Sequence, residues 1–460
     1  MSPVRIVMVL WGGLFLVLGP LMPAADGDLW WQRWLGDLIL RTHRLPSTLG
    51  PETFAAAGAP WVPQEWLLSI AVALSMREGL FTFLVLFIAI LHIGTLWSIY
   101  LRSRARATPM AIATVLLFTG VALDASFGVR AQVLGWACFA AFLLLLQRKD
   151  SWYYAAIAVV ILWANCHASA MLAPVFLAAR IAGTVADRGM GSLRVNRDIR
   201  ILPFVALALL CTPLGWHLPA YAITLMASPI RQYIQEWQPA GIAEPDFLFG
   251  ALPLAILIAL GGFQTLMKDK AESVPVAMLF FAVLSARRNE PLFAIAAAPL
   301  AAQCLDLRFP SLRRIADRVA GLERFAIVAT CFAFGITALA FTWANHDAAP
   351  KVPVVALGRL AAGGREHRLF CENFNDCSVA LQYPNVRVFM DGRCDPFPLA
   401  VWKAYISVVR LQPGWKRTLA DFSVDSIVAA RKGGLAAALD SDTSWRTEFR
   451  DDTFVVYVRT

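Results

Sequence analysis

The chain has 460 residues, of which 58% are hydrophobic and 16% charged, and its mean hydropathy is +0.59. That is too apolar for a wholly soluble protein of this length and predicts a polytopic membrane protein. The net charge of +9 could suggest a polyanion partner, but the basic residues sit in short clusters between apolar runs, so the excess is topological and no nucleic-acid partner is expected.

A helix rises about 1.5 Å per residue and the hydrocarbon core is about 30 Å thick, so a span needs roughly 17 to 25 apolar residues. About eleven such runs are present, starting near Val4, Leu80, Pro109, Ala131, Trp152, Ser169, Ile201, Leu248, Val274, Pro291 and Phe325. Residues 1–24 also carry signal-peptide features, with Arg5 ahead of the apolar stretch and Ala24-Ala25 at its end. The loop and spans that follow favour reading this segment as the first helix. Threaded with the N-terminus inside, the eleven helices place every basic cluster on the cytoplasmic side: Arg102, Arg104 and Arg106; Arg148 and Lys149; Arg188, Arg194, Arg197 and Arg200; Lys268 and Lys270; and residues 308–324. The threading requires residues 65–78 to lie on the outer surface as an interfacial helix. The expected location is a bacterial inner (cytoplasmic) membrane. A transmembrane domain should cover residues 1–345, with a first outer loop at 25–78.

After about Asn345 the composition becomes that of a soluble domain. Runs at 368–371, 386–390, 426–430 and 454–458 predict strands, and 399–411, 415–422 and 435–439 predict helices, so residues 346–460 should form a small α/β domain. An odd number of spans puts it outside the cytoplasm, with the first loop. In that oxidising compartment Cys371, Cys377 and Cys394 are expected to form one disulfide and leave one thiol, Cys371 and Cys377 being nearest in sequence. Cys138, Cys211, Cys304 and Cys331 lie in apolar runs as small core residues.

The first loop begins Asp26-Gly27-Asp28-Leu29-Trp30-Trp31, where a chain has just crossed the bilayer and a carboxylate meets lipid headgroups. Asp28 or Asp26 could take a proton from an acceptor hydroxyl. Either could equally cap the amphipathic helix expected over 29–42, with Leu29, Trp30, Trp34, Leu38 and Arg41 near one face. Trp30, Trp31, Trp34 and Trp61 suit an interfacial belt, and their flat faces can also stack on sugar rings.

The same threading gathers further polar groups on the outer side. Arg130 follows Asp124, Asn165 and His167 end one span, Glu236 lies in the loop 212–246, and Arg287 and Arg288 precede Glu290. Arginines bind phosphate bidentately, so Arg287, Arg288 and Arg130 are candidates for a lipid-linked donor. His167, Asn165, Glu236, Glu65, Trp30 and Trp31 are candidates to orient the acceptor. The structural alternatives are a satisfied helix-end histidine at His167 and a Glu236-Trp237 pair that engages arginine.

An outer loop with Asp-x-Asp-x-Trp-Trp, followed by Pro46, Gly58, Trp61 and Glu65-Trp66-Leu67, by Leu162-Trp163-Ala164-Asn165-Cys166-His167, Thr212-Pro213-Leu214-Gly215-Trp216 and Glu236-Trp237, and by Val388-Phe389-Met390-Asp391-Gly392-Arg393 in the tail, resembles bacterial polytopic membrane proteins of the glycosyltransferase C (GT-C) superfamily that carry a C-terminal periplasmic domain. The resemblance implies an α-helical GT-C-like membrane domain and an inverting transferase that takes its sugar from a polyprenyl phosphate. The acceptor would be a glycan, lipid or protein, with membrane lipids around the site. It gives Asp28 the general-base role, with Asp26 as alternate, and Asp391-Gly392-Arg393 acceptor recognition unless this is simply a turn. Members differ in metal use, so a divalent metal stays open as a cofactor, with Glu65 the nearby acidic partner and no metal ligand assigned. The other readings are a polysaccharide ligase or polymerase using a lipid-diphosphate glycan, and a non-catalytic transporter or envelope assembly scaffold.

Overall fold

Ten of the eleven apolar runs are helices in the computed structural model, which describes residues 3–21, 27–124, 128–311 and 352–460. They are Pro3–Leu21, Phe81–Ser103, Pro109–Asp124, Ala131–Leu146, Ala155–Cys166, Leu172–Arg188, Arg197–Ala208, Leu252–Leu260, Lys270–Ser285 and Glu290–Arg308. The run near Phe325 lies outside the described residues. Among the described residues three stretches, Phe81–Ser103, Ala168–Arg188 and Arg287–Arg308, are long and apolar enough to cross a bilayer. The other apolar helices are shorter than the sequence runs suggested. Pro, Gly and polar residues at their ends stop the hydrogen-bond ladder before the hydropathy falls.

Contacts divide the chain into two units. The first comprises Met1–Leu21, Thr82–Ile223 and Gln235–Asn345; the second comprises Met22–Phe81, Thr224–Ile234 and His346–Thr460. The first outer loop therefore packs with the C-terminal tail.

In the helical unit, Glu290–Arg308 is the innermost element, with 89% of its apolar window buried against 28% for Ala168–Arg188. Its sequence explains this. Ala294, Ala296, Ala297, Ala298, Ala301 and Ala302 are all buried, and small side chains let neighbouring helices approach closely where lipid supplies no hydrophobic contrast. The charged ends sort into two groups. Arg106 pairs with Glu272, Arg180 with Asp198 at 2.9 Å and Lys270 with Asp187 at 3.3 Å, while Arg197 donates to the carbonyls of Arg148 and Lys149. Apart from Arg180, which lies midway along Leu172–Arg188, these residues lie in or beside the helix ends that the threading puts on one side. At the opposite helix ends Arg130 meets Glu236 and Asn165 reaches the Cys211 carbonyl.

The second unit is built on a five-stranded sheet in the order β2-β1-β3-β5-β4, formed by β1 His367–Cys371, β2 Val386–Val388, β3 Ser426–Ala430, β4 Trp445–Arg450 and β5 Phe454–Arg459. The pairs β1–β2 and β1–β3 are parallel; β3–β5 and β5–β4 are antiparallel. Helices Leu399–Val409, Trp415–Asp421 and Gly434–Asp440 fall where expected, joined by Val354–Ala362 and Phe374–Ala380, which were not anticipated. Strand β4 was also missed, because its charged, mostly exposed residues hide the alternation. Cys371 and Cys377 form the disulfide, and Cys394 is left as a thiol.

The first loop supplies helices Gly27–Thr42 and Trp66–Arg77, packed face to face. The buried residues of the former are Gly27, Leu29, Trp31, Gln32, Leu35, Gly36 and Ile39. Of the face expected from the sequence, Leu29 is buried, Trp30, Trp34 and Leu38 are half-buried and Arg41 is exposed. Gly36 marks the crossing. A side-chain carbon there would lie 2.0 Å from the Ser69 carbonyl oxygen and 2.7 Å from Ala73 Cβ. Gly36→Ala should therefore force the helices apart and cost about 1–3 kcal/mol, read as a lowered midpoint in thermal unfolding followed by tryptophan fluorescence.

Candidate active site

Asp28 is the second residue of the helix that starts at Gly27, so it does not stand at the cap position. Its Oδ1 accepts the Trp31 indole N–H at 3.1 Å, and its charge lies in the first turn, where the helix dipole favours an anion. Asp26 lies outside the described residues. Gly27 allows the tail to approach, because a Cβ at this position would come 2.6 Å from Asn375 Cβ and 2.8 Å from the Asn375 carbonyl oxygen. From the other side comes Gly392, whose N–H donates to Ser378 Oγ at 3.0 Å. A Cβ on Gly392 would lie 3.0 Å from Asp28 Oδ1. Trp30 anchors the helix start, its carbonyl accepting from Gln382 Nε2 at 3.1 Å. Glu65 is buried and holds its two oxygens on Gln32 and Gln64, each at 2.9 Å.

The Asp391-Gly392-Arg393 motif is more than a turn. Arg393 donates to Asp391 from both Nε and Nη2, to Thr53 Oγ1 and to Glu52, and its guanidinium lies 5.0 Å from the Trp34 ring centre and 4.8 Å from that of Trp61. Asp391 is fully buried and Arg393 is 5% exposed. Burial disfavours the charged guanidinium, yet the Asp391 and Glu52 carboxylates hold its pKa above the usual arginine value. Beside this latch, Val388 N–H donates to the Glu52 carbonyl and Phe54 N–H to the Val388 carbonyl, so residues 52–54 bridge in parallel onto the open edge of β2. The motif's charged groups are thus committed to holding the loop. The sequence offered only a loose signal for this, a basic residue after a β-run and an acid with aromatics in the loop.

In the helical unit, the proposed phosphate ligands are already partnered in two cases. Arg130 pairs with Glu236 at 3.0 Å, and Arg287 with Glu244 at 3.0 Å and Asp246 at 3.3 Å. Arg288 stacks 4.2 Å over Trp237, and among the described residues no carboxylate lies within ion-pair distance of it. Both halves of the Glu236-Trp237 pair therefore engage arginine, as the structural alternative expected. His167 is 5% exposed; its Nδ1 accepts the Ser169 N–H at 3.1 Å and caps the helical turn that follows. Asn165 Nδ2 donates to the Ile161 and Cys211 carbonyls, both at 2.8 Å. Sequence reasoning gave no role to Glu244 or Asp246, the counter-charges of Arg287, although their place at the end of the loop 212–246 was the available hint. Asp28, Trp30, Trp31 and Glu65 belong to one unit, and Arg130, Asn165, His167, Glu236, Arg287 and Arg288 to the other. Among the described residues no three His, Cys, Asp or Glu side chains group as a metal site.

Removing the Arg393 guanidinium leaves Asp391 buried without its counter-charge. Arg393→Ala should cost about 3–5 kcal/mol and expose the loop to limited proteolysis, seen as new cleavage within residues 43–64. A second expectation concerns Asp376, whose carboxyl is pushed from 3.8 up to about 7 by burial and then by the Glu372 charge. A raised folded-state pKa contributes stability that is fully present below the unfolded value and is lost as pH rises through the folded one. Thermal stability of the tail should fall between about pH 4 and about pH 7, and Asp376→Asn should flatten that part of the curve.

No family model and no curated protein matches the chain. Solved structures do. The oligosaccharyltransferase AglB from Archaeoglobus fulgidus, in complex with an inhibitory peptide and a dolichol-phosphate, aligns over 99% of this chain and 74% of its own length with a TM-score of 0.56 at 14% identity. ArnT from Cupriavidus metallidurans bound to undecaprenyl phosphate aligns over 98% of each chain with a TM-score of 0.53 at 15% identity, and in its apo state gives 0.54 at 17% identity. At such identities the likeness is one of fold alone: a mostly α-helical architecture joined to a small C-terminal α/β domain.

Proposed function

We propose that this chain is a membrane glycosyltransferase that moves a sugar from a polyprenyl-phosphate donor to an envelope acceptor on the extracytoplasmic face of the bacterial inner membrane. The observation that supports it best is Asp28, a carboxylate at the start of the first loop, oriented by the Trp31 indole within the fold shared with AglB and ArnT. In this reading the first loop and the tail both lie in the periplasm.

The chemistry follows from the residue types. The acceptor hydroxyl gives its proton to the Asp28 carboxylate as its oxygen attacks the anomeric carbon. The bond from that carbon to the phosphate oxygen breaks, the electron pair leaves with the polyprenyl phosphate, and the anomeric configuration inverts. Negative charge that accumulates on the departing phosphate needs fixed cations. Arg288 is best suited, since stacking on Trp237 fixes its plane and leaves its N–H groups to donate. Arg287 and Arg130 add a positive field tempered by their carboxylates. Half-buried Trp30 offers a face for a sugar ring, whereas Trp31, which is buried, and Asn165, His167, Glu236 and Glu65 act through the supports they provide. Asp26 remains the alternate base.

General-base removal costs about 10²–10⁴-fold in rate. Asp28→Asn keeps an oxygen for the Trp31 indole, so it should lower sugar transfer from polyprenyl-phosphate sugars to membrane acceptors by at least about a hundredfold, scored by product mass, with the unfolding midpoint unchanged. Undiminished transfer removes Asp28 from the chemistry.

A further inference from the structure

The surroundings of Asp28 are supplied largely by residues far away in sequence. An ideal side-chain carbon on Gly392 would meet Asn375 Oδ1 at 2.9 Å, Asp28 Oδ1 at 3.0 Å and Ser378 Oγ at 3.0 Å. Three polar side chains from the first loop and the tail therefore converge on one small volume kept open by a glycine. The Asn375 carboxamide and the Asp28 carboxylate lie within about 6 Å of each other, the range over which a neighbour shifts a carboxyl group's proton affinity.

The segment that carries Asn375 is rigidly held. Asn373 accepts the Asn375 N–H and caps the helix Phe374–Ala380, the Cys371–Cys377 disulfide closes around it, and Tyr405 Oη accepts the Phe374 N–H at 3.0 Å. Gly27 is the complementary gap on the other side, since any side chain there would collide with Asn375.

We infer that Asn375, set by Gly392 and Ser378, is the positioning residue for Asp28. This rests on Asp28 being the base. A carboxamide suits the task because it has both a donor and an acceptor, and half a turn about its terminal bond exchanges them. The carboxamide oxygen is the atom that lines the shared volume in this structure; half a turn brings the N–H₂ there to meet the ionised carboxylate before transfer, and the oxygen accepts the O–H of the carboxylic acid once the acceptor's proton has arrived. The carboxyl group is thus held in one place through both protonation states. The other ionisable groups on the elements around it are occupied or left unchanged: Asp391 pairs with Arg393, Glu65 accepts from Gln32 and Gln64, Glu372 accepts from the Ala430 N–H, and Asp376 sits beside Asn375 in every variant.

The Trp31 indole N–H, hydrogen-bonded to Asp28, reports the ionisation of that carboxyl. In the full-length protein in detergent, its ¹H–¹⁵N resonance, assigned by its loss in Trp31→Phe, should titrate with Asp28. Asn375→Asp adds a like charge at nearly constant shape, and Asn375→Ala removes a donor to the charged form; both should raise the midpoint, the former by about one pH unit or more. Asn375→Gln should restore part of the shift. In the transfer assay the same variants should lower kcat with little change in KM, and the acid limb of the rate profile should move with the NMR midpoint. A midpoint unmoved in both Asp and Ala variants overturns the inference even if Asp28→Asn abolishes transfer. Full transfer by Asp28→Asn instead overturns the functional reading on which it rests.

Discussion

The guanidinium of Arg393, set against the rings of Trp34 and Trp61 and paired with Asp391 and Glu52, is the constraint on which the candidate site depends. A charge taken this far out of water is tolerated only when its partners satisfy it from every direction. Here those partners come from two stretches of chain at once: Asp391 from the tail, Glu52, Thr53 and both tryptophans from the first loop. Each stretch completes the other's solvation, so neither folds to the same shape alone. Once they are joined, the placement of Gly27 against Asn375 and of Gly392 against Asp28 follows, since these contacts lie one or two residues from the clamp or its supporting helix.

The helical unit solves a different problem. Lipid gives no hydrophobic reason for apolar helices to associate, so close approach and paired charges at their ends do the work. The alanine-rich helix Glu290–Arg308 sits innermost because it presents almost no bulk; the pair Lys270–Asp187 joins two helix ends, and Arg180, midway along Leu172–Arg188, holds Asp198 in the first turn of Arg197–Ala208. The pairing of Arg287 with two carboxylates beside the stacked Arg288 makes a graded positive surface, with one cation less neutralised than its neighbours.

What could be read from the sequence was whatever depends on local pattern. Apolar run length found the helices, and the short spacing of Cys371 and Cys377 marked the bonded pair. What could not be read was pairing at long range. Nothing in a one-dimensional pattern distinguishes Arg130, held by Glu236, from Arg288, which stacks on an indole. The buried side of the helix Gly27–Thr42 differs from the face expected over Leu29, Trp30, Trp34, Leu38 and Arg41, because the Trp34 ring lies against the Arg393 guanidinium, while Gly36, silent in a hydrophobicity pattern, marks the helix contact. Strand β4 and the seven-residue helix Phe374–Ala380 escaped notice since charged edge strands and single turns carry little periodic signal.

The bridge between residues 52–54 and β2 also has a temporal meaning. Arg393 lies 341 positions after Glu52, so a ribosome must thread nearly the whole membrane domain before the residues that lock the first loop emerge. Domains form in the order in which they are made, and the loop bearing Asp28 is left waiting until the very end. While it waits, the exposed edge of β2 does not yet exist to attract a stray strand, and as soon as that edge appears its natural occupant is already tethered nearby to cover it. Late completion thus protects the nascent chain from mispairing and keeps the surroundings of Asp28 unassembled until the helices are in place.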